Sequence, residues 1–141
     1  MSELLERLRR VLGEGPPLRL ALLFGSATRG TLRPESDVDV AVLPADAALT
    51  LADELALQAR LSKAAQREVD LVRLDRASSL LRWRVAREGV ELVANPPFEL
   101  SRFRAAAAIE HADMLPQLQH AQEIVRRRLV EGKGRTPGAE Q

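Results

Sequence analysis

Apolar residues along this chain recur in two rhythms, and the switches between them mark the elements. Leu4, Leu5, Leu8 and Leu12 return at three- and four-residue steps among glutamates and arginines, which predicts a short amphipathic helix from Ser2 to Leu12 with Ser2 as its N-cap. Gly13, Gly15, Pro16 and Pro17 stop that helix. Arg19 to Phe24 is a nearly continuous apolar run of strand length, bounded by turn residues, and predicts a buried strand. Gly25 to Ser36 is turn-rich, with one helical turn expected around Ala27 to Arg29. Asp37 to Leu43 predicts a second strand ended by Pro44, and Thr50 caps a helix running to about Ala65. Val69 to Val72 follows as a third strand, Ser78 to Glu88 as a helix stopped by Gly89, and Val90 to Val93 as a fourth strand. Asn95-Pro96-Pro97 closes the sheet-forming region.

Strands alternating with helices indicate a layered α/β domain over residues 1–97, with about four strands flanked by helices. From Phe98 the pattern turns helical. Phe103, Ala107, Met114, Leu118, Ala121, Val125 and Leu129 form a stripe, so residues 98–131 are expected to pack on the same domain as a helical extension. Pro116 should kink or split it, and residues 132–141 read as a disordered tail. Covering the sheet is the default role of the stripe. The alternative is a hydrophobic strip left open for a partner protein or a second copy of the chain.

Composition narrows this picture only in places. With 45% hydrophobic and 29% charged residues in 141, the chain is expected to form one soluble domain. A net charge of +1 gives no electrostatic reason to expect direct nucleic-acid binding. The absence of cysteine excludes disulfides, thiolate zinc sites and a thiol nucleophile. The N-terminus lacks the apolar core of a signal peptide and no segment reaches membrane-spanning length, so a cytoplasmic location is expected. All but two of the 21 basic residues are arginine, the exceptions being Lys63 and Lys133.

The candidate chemistry lies in three short stretches. In Asp37-Val38-Asp39-Val40-Ala41-Val42, strand alternation sends the valines to one face and both aspartates to the other. Residues two apart on a strand are separated by about 6.6 Å, and carboxylates so spaced can converge on two cations about 3.5–4 Å apart. Magnesium suits such a site when phosphates supply further ligands. Taken alone, Asp-x-Asp more often marks a solvated strand end. Gly25-Ser26 directly after a buried strand adds a turn where backbone approaches a ligand and N–H groups hold phosphate; alone it is a simple tight turn. Asp70 interrupts the apolar run Val69-Asp70-Leu71-Val72. It completes a three-carboxylate cluster if its strand lies beside the second one, and is an edge-strand aspartate otherwise.

Gly25-Ser26, ten residues, then Asp37-x-Asp39, with Asp70 on a later strand, resembles the signature of nucleotidyltransferases related to DNA polymerase β. The stretches "LFGSATRG", "SDVDVAVL" and "REVDLVRLDRASSLLRWRVAREGVEL" are similar to the minimal nucleotidyltransferases (MNT), which pair with HEPN-domain ribonuclease toxins. The resemblance implies the polymerase β-like fold with a mixed central sheet, ATP as substrate and two Mg2+ ions. It implies that Gly25 and Ser26 hold the triphosphate, that Asp37, Asp39 and Asp70 bind metal, and that Asp70 helps deprotonate an acceptor hydroxyl. It further implies an antitoxin that transfers AMP to a tyrosine of its HEPN partner. The chain has no tyrosine, so it cannot be its own target by that chemistry.

Arg29, three residues past Ser26, is a candidate for the triphosphate or a surface arginine. Thr28, where the related motif often carries arginine or alanine, is given no weight. His111 and His120 fall on opposite faces of one helix, and Trp83 and Phe103 read as packing residues. Two other functions stay open: nucleotidyl transfer to a small molecule such as an aminoglycoside, and a non-enzymatic antitoxin that acts by occlusion.

Overall fold

The computed structural model describes residues 2–25, 28 and 37–134. In chain order they form α1 (Ser2–Glu14), β1 (Leu18–Phe24), β2 (Val38–Pro44), α2 (Leu51–Ala65), β3 (Val69–Arg73), α3 (Ser79–Glu88), β4 (Val90–Ala94) and α4 (Glu99–Gly134). The strands make one sheet in the order β3-β2-β1-β4. β1 is antiparallel to both neighbours, whereas β2 and β3 are parallel, as the α2 crossover between them requires. The predicted mixed four-stranded sheet is therefore present.

Both faces of the sheet are covered, which explains why β1 is apolar at every position except Arg19. Ala21, Leu23, Val38, Val40, Val42 and Val69 pack against Leu8 and Leu12 of α1 and Leu57 and Leu61 of α2. On the opposite face Leu20, Leu22, Phe24 and Ala41 meet Val85 and Ala86 of α3 and Phe103 and Ala107 of α4.

The helix starts were legible. Thr50 accepts a hydrogen bond from the Asp53 amide at 3.1 Å, and Asp53 returns one by accepting from the Thr50 amide at 3.2 Å. Ser78 caps α3 by accepting from the Leu81 amide at 3.2 Å. Gly89 stops α3, but not through a left-handed turn, since its φ is −68°. Glycine is required there by contact: a Cβ would stand 2.6 Å from the Val85 carbonyl oxygen and 3.1 Å from the Leu22 side chain.

Two expectations for the C-terminal region are corrected. Pro116 does not split the helix; α4 runs unbroken through it, because in an exposed stretch the carbonyl freed by the missing donor is left to water. The helix also continues past the predicted end, to Gly134. Only the first part of the stripe covers the sheet. Phe103 and Ala107 are buried, whereas Val125 and Leu129 are 55% and 61% exposed, because α4 outruns the sheet it packs on.

The arginine bias has a structural use. Arg9 donates to the Glu91 and Leu92 carbonyls, Arg82 to that of Leu74, and Arg104 to those of Ala86 and Gly89 at the end of α3. Arg73 is buried and donates to Leu49 O at 2.8 Å and to both Asp75 oxygens, at 3.1 and 2.6 Å. A planar multi-donor cation can tie several acceptors at once, which lysine cannot.

Candidate active site

The site is assembled where β1 ends and β2 and β3 begin. Antiparallel pairing sets Phe24 opposite Asp39, and parallel pairing sets Asp39 opposite Asp70. The start of the parallel pair is fixed by the Val38 amide, which donates to the Glu68 carbonyl at 2.9 Å. Val38, Val40 and Val69 turn toward α1 and α2, so by alternation Asp39 and Asp70 belong to the α3–α4 face. Neighbouring strands lie about 4.8 Å apart, and the two carboxylates share one edge of the sheet. Asp39 is partly buried; Asp70 is exposed. Asp37 is exposed and stands one residue before β2 rather than inside it.

Gly25 follows Phe24 directly, is buried and has φ +81°. That left-handed conformation disfavours any side chain. A second constraint comes from Asp39: a Cβ on Gly25 would collide with the Asp39 carboxylate, whose Cγ lies 3.3 Å from that point. The glycine therefore lets the chain turn and lets the acid close up beneath it. The turn is tied by Thr28, whose hydroxyl donates to the Gly25 carbonyl at 2.7 Å. Thr28 thus has a structural part that the sequence reading gave no weight. Ser26 and Arg29, and the helical turn expected at 27–29 apart from Thr28, lie outside the described residues.

Among the described residues no group of three carboxylate, histidine or cysteine side chains is drawn together closely enough to hold a metal ion. The donors available are nonetheless of one kind. Asp39 and Asp70 share an edge, Asp37 is close in sequence, and all three carry hard carboxylate oxygen, which suits magnesium rather than a thiolate- or imidazole-seeking ion. The histidines stand apart from this set: His111 stacks on Trp83 with ring centroids 4.5 Å apart, which bears out Trp83 as a packing residue. No helix among the described residues is long and apolar enough to cross a membrane.

A short mixed sheet with a Gly turn after its central strand and paired acids on the next two is the frame of a nucleotidyltransferase, and residues 6–97 match the family described as polymerase beta, nucleotidyltransferase. The chain belongs to that family. It is similar to protein adenylyltransferase MntA of Shewanella oneidensis (strain MR-1), with 42% identity over 77 residues, or 55% of each chain. The match thus spans about half the length of that curated relative. The fold is similar to a chain in a crystal structure of a toxin–antitoxin with AMP-PNP, at a TM-score of 0.71 and 29% identity over 89% of this chain and 98% of that one. It is also similar to a chain in the structure of a tri-AMPylated S. oneidensis HEPN toxin in complex with MNT antitoxin, at a TM-score of 0.64 and 26% identity over 90% and 96% of the two chains.

Proposed function

We propose that this protein is an antitoxin that transfers AMP from ATP to a tyrosine hydroxyl of a HEPN-domain toxin. The observation that carries the reading is the registered pair Asp39 and Asp70 beside the left-handed turn at Gly25. The relatives support it: one is a protein adenylyltransferase, and the similar structures include an AMPylated HEPN toxin with its antitoxin.

In this reading Asp37, Asp39 and Asp70 hold two Mg2+ ions, which when bound neutralise triphosphate charge and stabilise the oxygens of an in-line displacement. The backbone at Gly25, the Ser26 hydroxyl and the Arg29 guanidinium hold the phosphates. Asp70, exposed where Asp39 is partly buried, accepts the acceptor's proton. The acceptor oxygen bonds to the α-phosphorus, the bond to the bridging oxygen breaks, and pyrophosphate leaves. This chain contributes position and charge rather than a covalent intermediate.

The test is incubation of the purified chain and its HEPN partner with α-labelled ATP and Mg2+. Label is expected on the partner, with loss of its ribonuclease activity. No label on the partner, with the complex demonstrably formed, would sink the reading.

A further inference from the structure

We propose that Arg84 binds the β- and γ-phosphates of the nucleotide from the α3 side of the site. The inference rests on the nucleotidyl-transfer reading above and adds a residue outside the Gly25-Ser26, Asp37-x-Asp39 and Asp70 set.

The two flanks of α3 face different things. At about 100° per residue, Ser79, Arg82 and Trp83 fall toward α4, where Ser79 and Arg82 bond Glu110 at 3.2 and 3.4 Å and Trp83 stacks on His111. Arg84 and Glu88, one turn apart, fall on the opposite flank. There the Arg84 guanidinium lies over the Phe24 ring, 5.8 Å from its centroid. Phe24 is the residue that pairs with Asp39, at the separation of about 5 Å usual across antiparallel strands, and it leads directly into Gly25. Arg84 therefore stands at the rim of the face that bears Asp39 and Asp70.

The donors of Arg84 are disposed for a ligand. Its Nε faces Glu88 at 3.5 Å, and the ring beneath steadies the guanidinium plane. Among the described residues nothing takes its two terminal nitrogens, and its side chain is 49% exposed. Arg73, Arg82 and Arg104 differ, because each spends terminal nitrogens on carbonyls or carboxylates of the fold. A triphosphate beside three aspartates carries more negative charge than two divalent cations cancel, so a further cation is needed where the phosphates lie. A guanidinium held at Nε presents its remaining fork to phosphate oxygens in bidentate fashion. Arg87, on the same helix, instead lies over Trp83 at 6.0 Å.

Calorimetric binding of AMP-PNP and of AMP to the full chain in Mg2+ tests this. Arg84→Met should weaken AMP-PNP binding about tenfold or more, the loss of a charge-assisted bidentate contact, and leave AMP within about twofold. Arg84→Lys should recover part of the loss, and Arg87→Met should bind as the wild type does. If Arg84→Met fails to fold, Arg84→Lys decides by the same AMP-PNP against AMP contrast. Unchanged AMP-PNP affinity in the Arg84 variants, equal loss for AMP, or equal loss in Arg87→Met would overturn the assignment alone. A wild type that binds no AMP-PNP would overturn both it and the reading on which it rests.

Discussion

Asp39 and Asp70 occupy paired positions on the parallel strands β2 and β3, two acids side by side where most strand partners are apolar. Like charges opposite one another weaken a sheet, so the pair is better explained by a ligand than by folding. Asp70→Asn should therefore melt at or above the wild-type temperature while AMP transfer falls at least about a hundredfold, the usual scale for removing a group that stabilises transition-state charge. Thermal denaturation and label transfer on the same preparation check both halves. A variant that loses stability and activity together would count as structural damage instead.

Gly25 and Asp39 are coupled through space, which a double-mutant cycle can measure. Gly25→Ala forces a side chain into φ +81°, at a cost of about 1–2 kcal/mol, and also drives its Cβ into the Asp39 carboxylate. Asp39→Ala removes the second penalty and leaves the first. The destabilisation caused by Gly25→Ala should thus be clearly smaller in the Asp39→Ala background, by about 1 kcal/mol or more. Urea unfolding of the four proteins gives the coupling; additive losses would mean the two residues do not touch.

Much of this was legible because it is local. Strand alternation put Asp39 on the face opposite the valines, the glycine after an apolar run marked the turn, and Thr50 and Ser78 announced their helices, whereas Asp37 stands one residue before β2. Register was not local: only the α2 crossover and the β2–β3 pairing bring Asp70 level with Asp39. The packing of α3 was hidden as well, since Arg84 reaches Phe24 from far along the chain, a non-local contact that nothing in its sequence neighbours signals. The stripe on α4 misled because periodicity reports a helical face, not whether anything lies against it.

The Arg73–Asp75 pair should shape the acid limb of stability. The hydrogen bonds from Arg73 hold the Asp75 carboxyl below its ordinary value of 3.8, despite an opposing contribution from burial. A carboxylate with a lowered folded pKa contributes stability that is fully present above the unfolded value and is lost as pH falls through the folded one. By accepting these bonds Asp75 in turn raises Arg73, which stays protonated across acid and neutral pH. Asp75→Asn should therefore lower stability at pH 7 and flatten the decline below about pH 4. Denaturation midpoints from pH 7 down to pH 2.5 check it; an unchanged acid limb would show that other carboxylates set it.

The two halves of α4 should respond oppositely to substitution. Phe103 is 4% exposed and packs beneath α3 with Ala107, so Phe103→Ala should cost about 3–5 kcal/mol, the transfer and cavity penalty for a buried phenyl ring. Leu129 is 61% exposed, and its replacement by glutamate removes no buried contact of the single chain. Leu129→Glu should accordingly stay within about 0.5 kcal/mol of wild type, as surface changes do. Urea denaturation of the dilute protein measures both. If Leu129→Glu instead destabilises in a concentration-dependent way, the exposed face is covered in solution by a second copy of the chain, because only association makes apparent stability depend on protein concentration.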